Sequence, residues 1–137
     1  MADPRAFISF DFDHNLTEKN LFAGQCKEKS PTPFVAADWS SKSALPQAEW
    51  EKQIKAKVNS CHVLIVLVGK TMATATGVAK EIQFAKDQNV PVFGVYVDGA
   101  GADSAIPTGL QRNRTVSWTW ENVGRVIDQG MREGKNK

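Results

Sequence analysis

The sequence has little cysteine and no cysteine-rich motif. Its two cysteines, Cys26 and Cys61, are far apart and no CxxC pair occurs, so neither a zinc knuckle nor a thioredoxin-type redox site is supported. Cys61 opens an apolar run, and we interpret it as a buried core thiol rather than half of a disulfide. We therefore expect the chain to fold on its hydrophobic core without covalent cross-links.

Long hydrophobic runs are also lacking. The longest strongly apolar stretch is Val63 to Val68, whereas a helix that spans a bilayer needs about 20 residues. Residues 1–5 lack the basic start and the apolar stretch of a signal peptide. We expect a cytoplasmic protein that has no membrane partner.

No charge of one sign prevails in this chain. Lys and Arg number 17 against 15 Asp and Glu, the net charge is +2, and the basic residues are scattered along the sequence. A surface that binds nucleic acid would need them to cluster. We therefore expect no nucleic-acid partner.

Hydrophobic residues make up 42% of the 137 residues, and they fall into strand-like and helix-like segments that alternate. This alternation predicts a parallel sheet covered by helices on both faces, an α/β fold. The predicted strands span residues 6–10, 34–37, 62–68, 91–97 and 115–118. We expect a flavodoxin-like doubly wound sheet of strand order 2-1-3-4-5. Residues 1–137 should form a single domain with a disordered tail from about residue 134.

Four helices are predicted between and after these strands. The first runs from Asn15 or Leu16 to about Lys27 and has only a weak apolar stripe. The other three carry apolar residues at helical spacing: Trp50, Ile54 and Val58; Val78, Ile82 and Ala85; and Val123, Val126, Ile127 and Met131.

In a doubly wound sheet, ligands bind beyond the carboxyl ends of the strands, at the point where the strand order reverses. Here that point lies between the first and the third strand. The segments to consider are therefore residues 11–14, 38–39 and 69–81.

The chain lacks residues that are essential for two common functions of this fold. A receiver domain pairs carboxylates such as Asp11 and Asp13 to bind a divalent cation, but it also needs a phosphate-accepting Asp after the third strand, where this chain has Gly69-Lys70. A flavodoxin needs a hydroxyl-rich loop after the first strand, and the acidic residues there would repel a phosphate. We expect neither a metal site nor a bound cofactor.

Two places in the chain resemble TIR domains. Phe7-Ile8-Ser9-Phe10 is similar to the first TIR strand, and residues 77–85 followed by 90–95 resemble the segment that holds the catalytic glutamate and the next strand. The Trp118-Thr119-Trp120 ending and the short chain look most like the TIR-like proteins of the Thoeris anti-phage system, the ThsB group.

The resemblance implies cleavage of NAD between nicotinamide and ribose, with NAD as substrate rather than cofactor. Matched by position, Glu81 would be the catalytic glutamate. Loss of neutral nicotinamide leaves an oxocarbenium-like ribose, which a nearby carboxylate stabilises. The product would be ADP-ribose or a cyclic isomer that signals to a separate effector protein. The resemblance also implies self-association through TIR contacts.

The candidate substrate-binding residues are Ser9, Phe10, Asp11, His14, Trp39, Thr74 and Thr76. Phe10 could stack on nicotinamide or adenine, and Asp11 and His14 could orient a ribose. Trp39 could close over a nucleotide, whereas Thr74 and Thr76 are typical of an anion loop at a helix N-terminus.

Most of these candidates, and Glu81 itself, have a structural alternative. Phe10 could belong to the core, His14 could be satisfied within its own loop, and Trp39 could be a buried anchor for the helix that contains Trp50. Capping of the next helix would explain the two threonines. Glu81 could be a solvated residue that complements the helix dipole.

Two further functions remain open at this point. One is a non-catalytic interaction module that works through TIR-to-TIR contacts. The other is a nucleoside deoxyribosyltransferase-like enzyme, which also attacks a glycosidic carbon beside a glutamate.

Overall fold

In the computed structural model, which describes residues 3–40, 46–70, 72 and 76–137, five parallel strands form one sheet. Their order is β2-β1-β3-β4-β5. The strands are β1 (Arg5–Ser9), β2 (Val35–Trp39), β3 (Val63–Val68), β4 (Val92–Tyr96) and β5 (Thr115–Ser117). The predicted doubly wound fold is confirmed, with each strand within a few residues of its predicted position.

Four α-helices connect or follow these strands in the described part of the chain. They are α1 (Leu16–Lys29), α2 (Gln47–Asn59), α3 (Thr76–Asp87) and α4 (Trp120–Gly130). Helices α2 and α3 pack on one face of the sheet and α1 and α4 on the other, so two separate hydrophobic clusters cover its two sides. No helix in the described ranges has both the length and the apolar character needed to cross a membrane.

β3 lies at the centre of the sheet because all six of its residues are apolar and buried. An uninterrupted apolar strand is stable only where helices cover both of its faces. β1 pairs with β3 on one side, where Ser9 aligns with Val66, and with β2 on the other. The strand order therefore reverses between β1 and β3, as expected.

The carboxyl ends of β1 and β3 lie close to the start of α1. Asn15 directly precedes α1 and is fully buried, and a Cβ atom at residue 69 would collide with its side-chain amide. Only glycine permits this approach of the backbone to another residue. Gly69 therefore lets α1 begin against the end of β3.

The C-terminal segment differs from the predicted disordered tail. Residues Gly134–Asn136 form a short 3-10 helix. The Lys135 N–H donates to the Asn89 carbonyl oxygen at 2.8 Å, and the Asn136 amide donates to the His62 carbonyl oxygen at 2.7 Å. These bonds attach the segment to the chain that leads into β3 and β4.

Candidate functional site

Glu81 is a buried carboxyl on the sheet-facing side of α3. It lies three residues after Val78 and directly before Ile82, and both of these side chains are in the core. At helical spacing this position falls on the apolar stripe, and the residue is only 1% exposed. The alternative of a solvated glutamate at a helix start is wrong for this residue.

Two serine hydroxyls converge on the Glu81 carboxyl. Ser9, the last residue of β1, donates from its Oγ to Oε1 at 2.6 Å, and Ser40, directly after β2, donates to the same oxygen at 2.5 Å. Both serines are buried. The ends of β1 and β2 and one helix thus meet at a single carboxyl oxygen, at the carboxyl edge of the sheet.

Ser40 is fixed by two further hydrogen bonds. Its N–H donates to the Ile8 carbonyl oxygen at 3.0 Å, and its Oγ accepts from the Phe10 N–H at 3.1 Å. Because the Oγ accepts on one side, its proton is free to point at Glu81. The β2 end is therefore coupled both to β1 and to the buried carboxyl.

Burial raises the pKa of the Glu81 carboxyl from its ordinary 4.5 to about 7, although the hydrogen bonds from Ser40 and Ser9 lower it. Removal of the carboxylate from water is the dominant cause because it disfavours the charged form. A carboxyl that titrates near neutrality can exchange a proton at cellular pH. Shifts of this kind are frequent at catalytic sites.

Replacement of Ser40 with Ala is expected to raise the pH at which Glu81 titrates, by about one pH unit, since a hydrogen bond to a charged group is worth about 1.5 kcal/mol or more. A carbon-13 NMR titration of the glutamate carboxyls would measure this. Ser60→Ala is the control, because the Ser60 hydroxyl is exposed and donates to the Lys57 carbonyl oxygen. A Glu81 titration that is unchanged in Ser40→Ala, or that moves to lower pH, would contradict the inferred contact.

Asp11 and His14 form a local pair rather than part of the Glu81 cluster. The His14 Nδ1 lies 2.8 Å from the Asp11 Oδ2, and the Asp13 N–H donates to the other Asp11 carboxylate oxygen at 3.1 Å. The His14 side chain is about half exposed, whereas Asp11 is buried. His14 is therefore held within its own loop and is open to solvent at the rim of this edge.

The structure does not bring the Phe10 ring to Glu81. Ser9 turns toward α3, and neighbouring strand residues point to opposite faces of a sheet. The Phe10 ring accordingly belongs to the cluster under α1 and α4, where it is 2% exposed. Its backbone N–H, through the bond to Ser40, is the part of Phe10 that contributes to the site.

Trp39 is the last residue of β2, an edge strand, and is 39% exposed. It is therefore not the buried anchor that was the alternative interpretation. Thr74 lies outside the described residues, and for Thr76 the structure describes only the backbone, which begins α3. The predicted anion loop at these threonines stays a prediction.

Two residues of this region were missed by the sequence analysis. Ser40 directly follows β2, and nothing local to it in the sequence signals a contact with residue 81. Lys19 lies in the first turn of α1 and is 7% exposed, with its Nζ 3.9 Å from the centroid of the Trp39 ring. Burial lowers the pKa of the Lys19 ammonium. A lysine on the same helical face as Phe22 and Cys26 was the available signal.

Comparison with known families gives a match over much of the chain. The family model of the Thoeris protein ThsB, TIR-like domain, matches residues 7–102, which is more than half of the chain. The matched range begins within β1, includes Ser40 and Glu81 and ends after β4. No curated protein matches the sequence. The chain therefore belongs to the TIR-like domain family of ThsB, a protein of Thoeris anti-phage defence.

Proposed function

We propose that this protein cleaves NAD between nicotinamide and ribose, with Glu81 as the catalytic carboxylate. The observation that carries the proposal is the burial of Glu81, with two serine hydroxyls on one of its oxygens, at the point where the strand order reverses. Membership of a TIR-like family supports the same chemistry. A buried carboxyl is costly to ionise, so its retention on a core-facing stripe calls for a role beyond packing.

The first step breaks the bond between the nicotinamide nitrogen and the ribose carbon. The bonding electron pair leaves with nicotinamide, which becomes neutral, and positive charge develops on the ribose ring. An ionised Glu81 beside that carbon stabilises the charge, and its effect is large because the surroundings exclude water. The hydrogen bond from Ser9 keeps the carboxylate in place.

The second step adds a nucleophile to the same ribose carbon. Attack by water gives ADP-ribose and releases one proton, whereas attack by a nucleophile within the same molecule gives a cyclic isomer and also releases a proton. With a pKa near 7, Glu81 is suited to accept that proton. In Thoeris defence, we propose, the product signals to a separate effector protein.

Substrate access to Glu81 requires a conformational change. Glu81 is almost fully enclosed, so a ribose reaches it only after one of its hydrogen-bond partners moves away. Ser9 lies within the sheet, whereas Ser40 follows the last residue of an edge strand. We propose that opening of the Ser40 contact admits the substrate and that self-association through TIR contacts promotes this opening.

The direct test is incubation of the purified protein with NAD at low and at high protein concentration, with products resolved by mass spectrometry. We expect release of one nicotinamide for each molecule of ADP-ribose or cyclic isomer that forms. Concentration-dependent assembly without any nicotinamide release would overturn the proposal and favour an interaction module.

A parallel incubation with deoxyribonucleosides tests the second enzymatic alternative. The proposed function predicts that they are not consumed. Base exchange on deoxyribonucleosides with NAD left intact would instead favour a deoxyribosyltransferase-like enzyme, which would use Glu81 on a different glycosidic carbon.

A further inference from the structure

Lys19 is a cation buried at the same edge of the sheet as Glu81. It lies in the first turn of α1, on the helix face that also buries Phe22 and Cys26. Lysine is almost never buried without a charged partner, since removal of its ammonium from water costs several kcal/mol. The position of Lys19 therefore calls for an explanation.

The contacts of Lys19 do not supply a negative charge. Its Nζ donates to the Asn20 side-chain oxygen at 3.1 Å and lies over the Trp39 ring. Both partners are neutral. Within residues 3–40, 46–70, 72 and 76–137, every ion pair of a lysine or an arginine involves a residue other than Lys19. The ammonium thus keeps donor capacity for an anion that binds to the protein.

The backbone next to Lys19 also favours an anion. α1 is 14 residues long, and Asn15 at its N-terminal boundary makes no capping hydrogen bond to it. The Asn15 side-chain amide donates instead to the Glu18 carboxylate at 2.8 Å. The negative charge in the first turn of α1 therefore already has a hydrogen-bond partner. Asp11, in the acidic loop before α1, is engaged by His14 and by the Asp13 N–H. The N–H groups at the start of a helix attract negative charge, and Lys19 adds a full positive charge beside them.

Lys19 is connected to the Glu81 cluster through two adjacent residues. Trp39 lies beneath the Lys19 ammonium on the α1 side of the sheet, and Ser40 turns to the α3 side to contact Glu81. The cation and the carboxyl therefore flank one edge of the sheet from opposite faces. A dinucleotide carries its diphosphate on the C5′ carbon of the ribose, outside the ring. A ribose that reaches the carboxyl therefore brings the diphosphate to the same edge of the sheet.

We propose that Lys19, held over the Trp39 ring, binds the diphosphate of the dinucleotide substrate. The inference rests on the proposed function for the identity of the dinucleotide. Lysine acts in such a site as a mobile point charge that pairs with phosphate oxygens. Trp39 holds the Lys19 ammonium against its ring face, and the ammonium has three N–H donors, so it can still bind phosphate oxygens.

The test compares binding of ADP-ribose, which carries the diphosphate, with binding of adenosine, which does not. Isothermal titration calorimetry is carried out on wild type, Lys19→Met, Lys19→Arg and Lys27→Met. Lys27 is the matched control, on the same helix but exposed and 3.9 Å from Asp3. Thermal unfolding shows whether each variant folds, and Lys19→Gln replaces Lys19→Met if the latter does not.

We expect Lys19→Met to weaken ADP-ribose binding at least about tenfold, which corresponds to about 1.4 kcal/mol, and to leave adenosine binding unchanged. Lys19→Arg retains most of the ADP-ribose affinity, and Lys27→Met behaves as wild type. Wild-type affinity for ADP-ribose falls with added salt more steeply than affinity for adenosine.

Three results would overturn the proposal: no ADP-ribose binding by wild type, equal ADP-ribose affinity in wild type and Lys19→Met, or an equal loss for adenosine. Failure of the proposed function has a different signature. In that case wild type binds ADP-ribose through Lys19 but releases no nicotinamide from NAD, and Lys19 remains a diphosphate-binding residue of a non-catalytic nucleotide site.

Discussion

Replacement of Glu81 with Gln is expected to lower the rate of nicotinamide release from NAD by about a thousandfold or more, since removal of one preorganised electrostatic partner of a transition state costs about two to three orders of magnitude and the accepting base is lost as well. Gln has the shape of Glu, and its amide oxygen accepts the hydrogen bonds from Ser9 and Ser40. The fold should therefore be retained. A discontinuous assay, in which nicotinamide is quantified by liquid chromatography at successive times, measures the rate.

A matched control separates the role of Glu81 from the general effect of removing a carboxylate. Glu51→Gln changes a glutamate that pairs with Lys80 on the protein surface, and it should leave the rate within about twofold of wild type, as surface changes away from a site usually do. Full activity of a folded Glu81→Gln protein would refute the assignment of Glu81. Loss of activity with retained ADP-ribose binding would support a role in the chemical step.

The same substitution is expected to stabilise the protein at pH 8, by up to about 3 kcal/mol. The folded-state pKa of Glu81 is raised from 4.5 to about 7, so between these pH values the native state binds more protons than the unfolded state does. Stability must therefore fall as pH rises through this window. Above pH 7 wild type carries the full cost of a buried charge, whereas neutral Gln carries none.

Urea denaturation at pH 4.5 and at pH 8 measures this effect. The difference in unfolding free energy between Glu81→Gln and wild type should be small at pH 4.5 and reach its full value at pH 8. Glu51→Gln should show no such pH-dependent gain, because that carboxyl lies on the surface. A Glu81→Gln protein that is less stable than wild type at pH 8 would show that Glu81 is stabilised as an anion in the native state.

The stabilisation also bears on function. Proteins commonly keep a strained or charged group in the interior where catalysis needs it, at a cost in stability. If Glu81→Gln gains stability as it loses activity, the buried carboxyl is retained for chemistry rather than for folding. No packing role of the side chain predicts that combination.

The architecture of the sheet could be predicted from local patterns alone. The uninterrupted apolar run of β3 indicates a strand covered on both faces, and the alternation of strands and helices leads to the observed strand order. The position of Glu81 was also present in the sequence. It lies on the stripe of Val78, Ile82 and Ala85, and this spacing favours burial of the side chain although glutamate is usually exposed.

The partners of Glu81 could not be predicted, because they depend on contacts between distant segments. Ser40 is 41 residues away from Glu81, and a serine after a strand is typical of any loop. The apolar stripe of α1 is weak in the sequence because Lys19, a charged residue, occupies one of its core-facing positions. Its long aliphatic stem can lie there while its ammonium stays in a polar environment. The hydrogen bonds of residues 134–136 to Asn89 and His62 are likewise invisible to local patterns.

A carbon-13 NMR titration of the Glu81 carboxyl, with and without ADP-ribose, tests most directly whether this group is the one that meets the substrate. We expect a resonance, absent from Glu81→Gln, that titrates near pH 7 in the free protein and moves when ADP-ribose is added. A Glu81 resonance that titrates near 4.5, as an ordinary glutamate does, and does not respond to saturating ADP-ribose would contradict the proposed catalytic role.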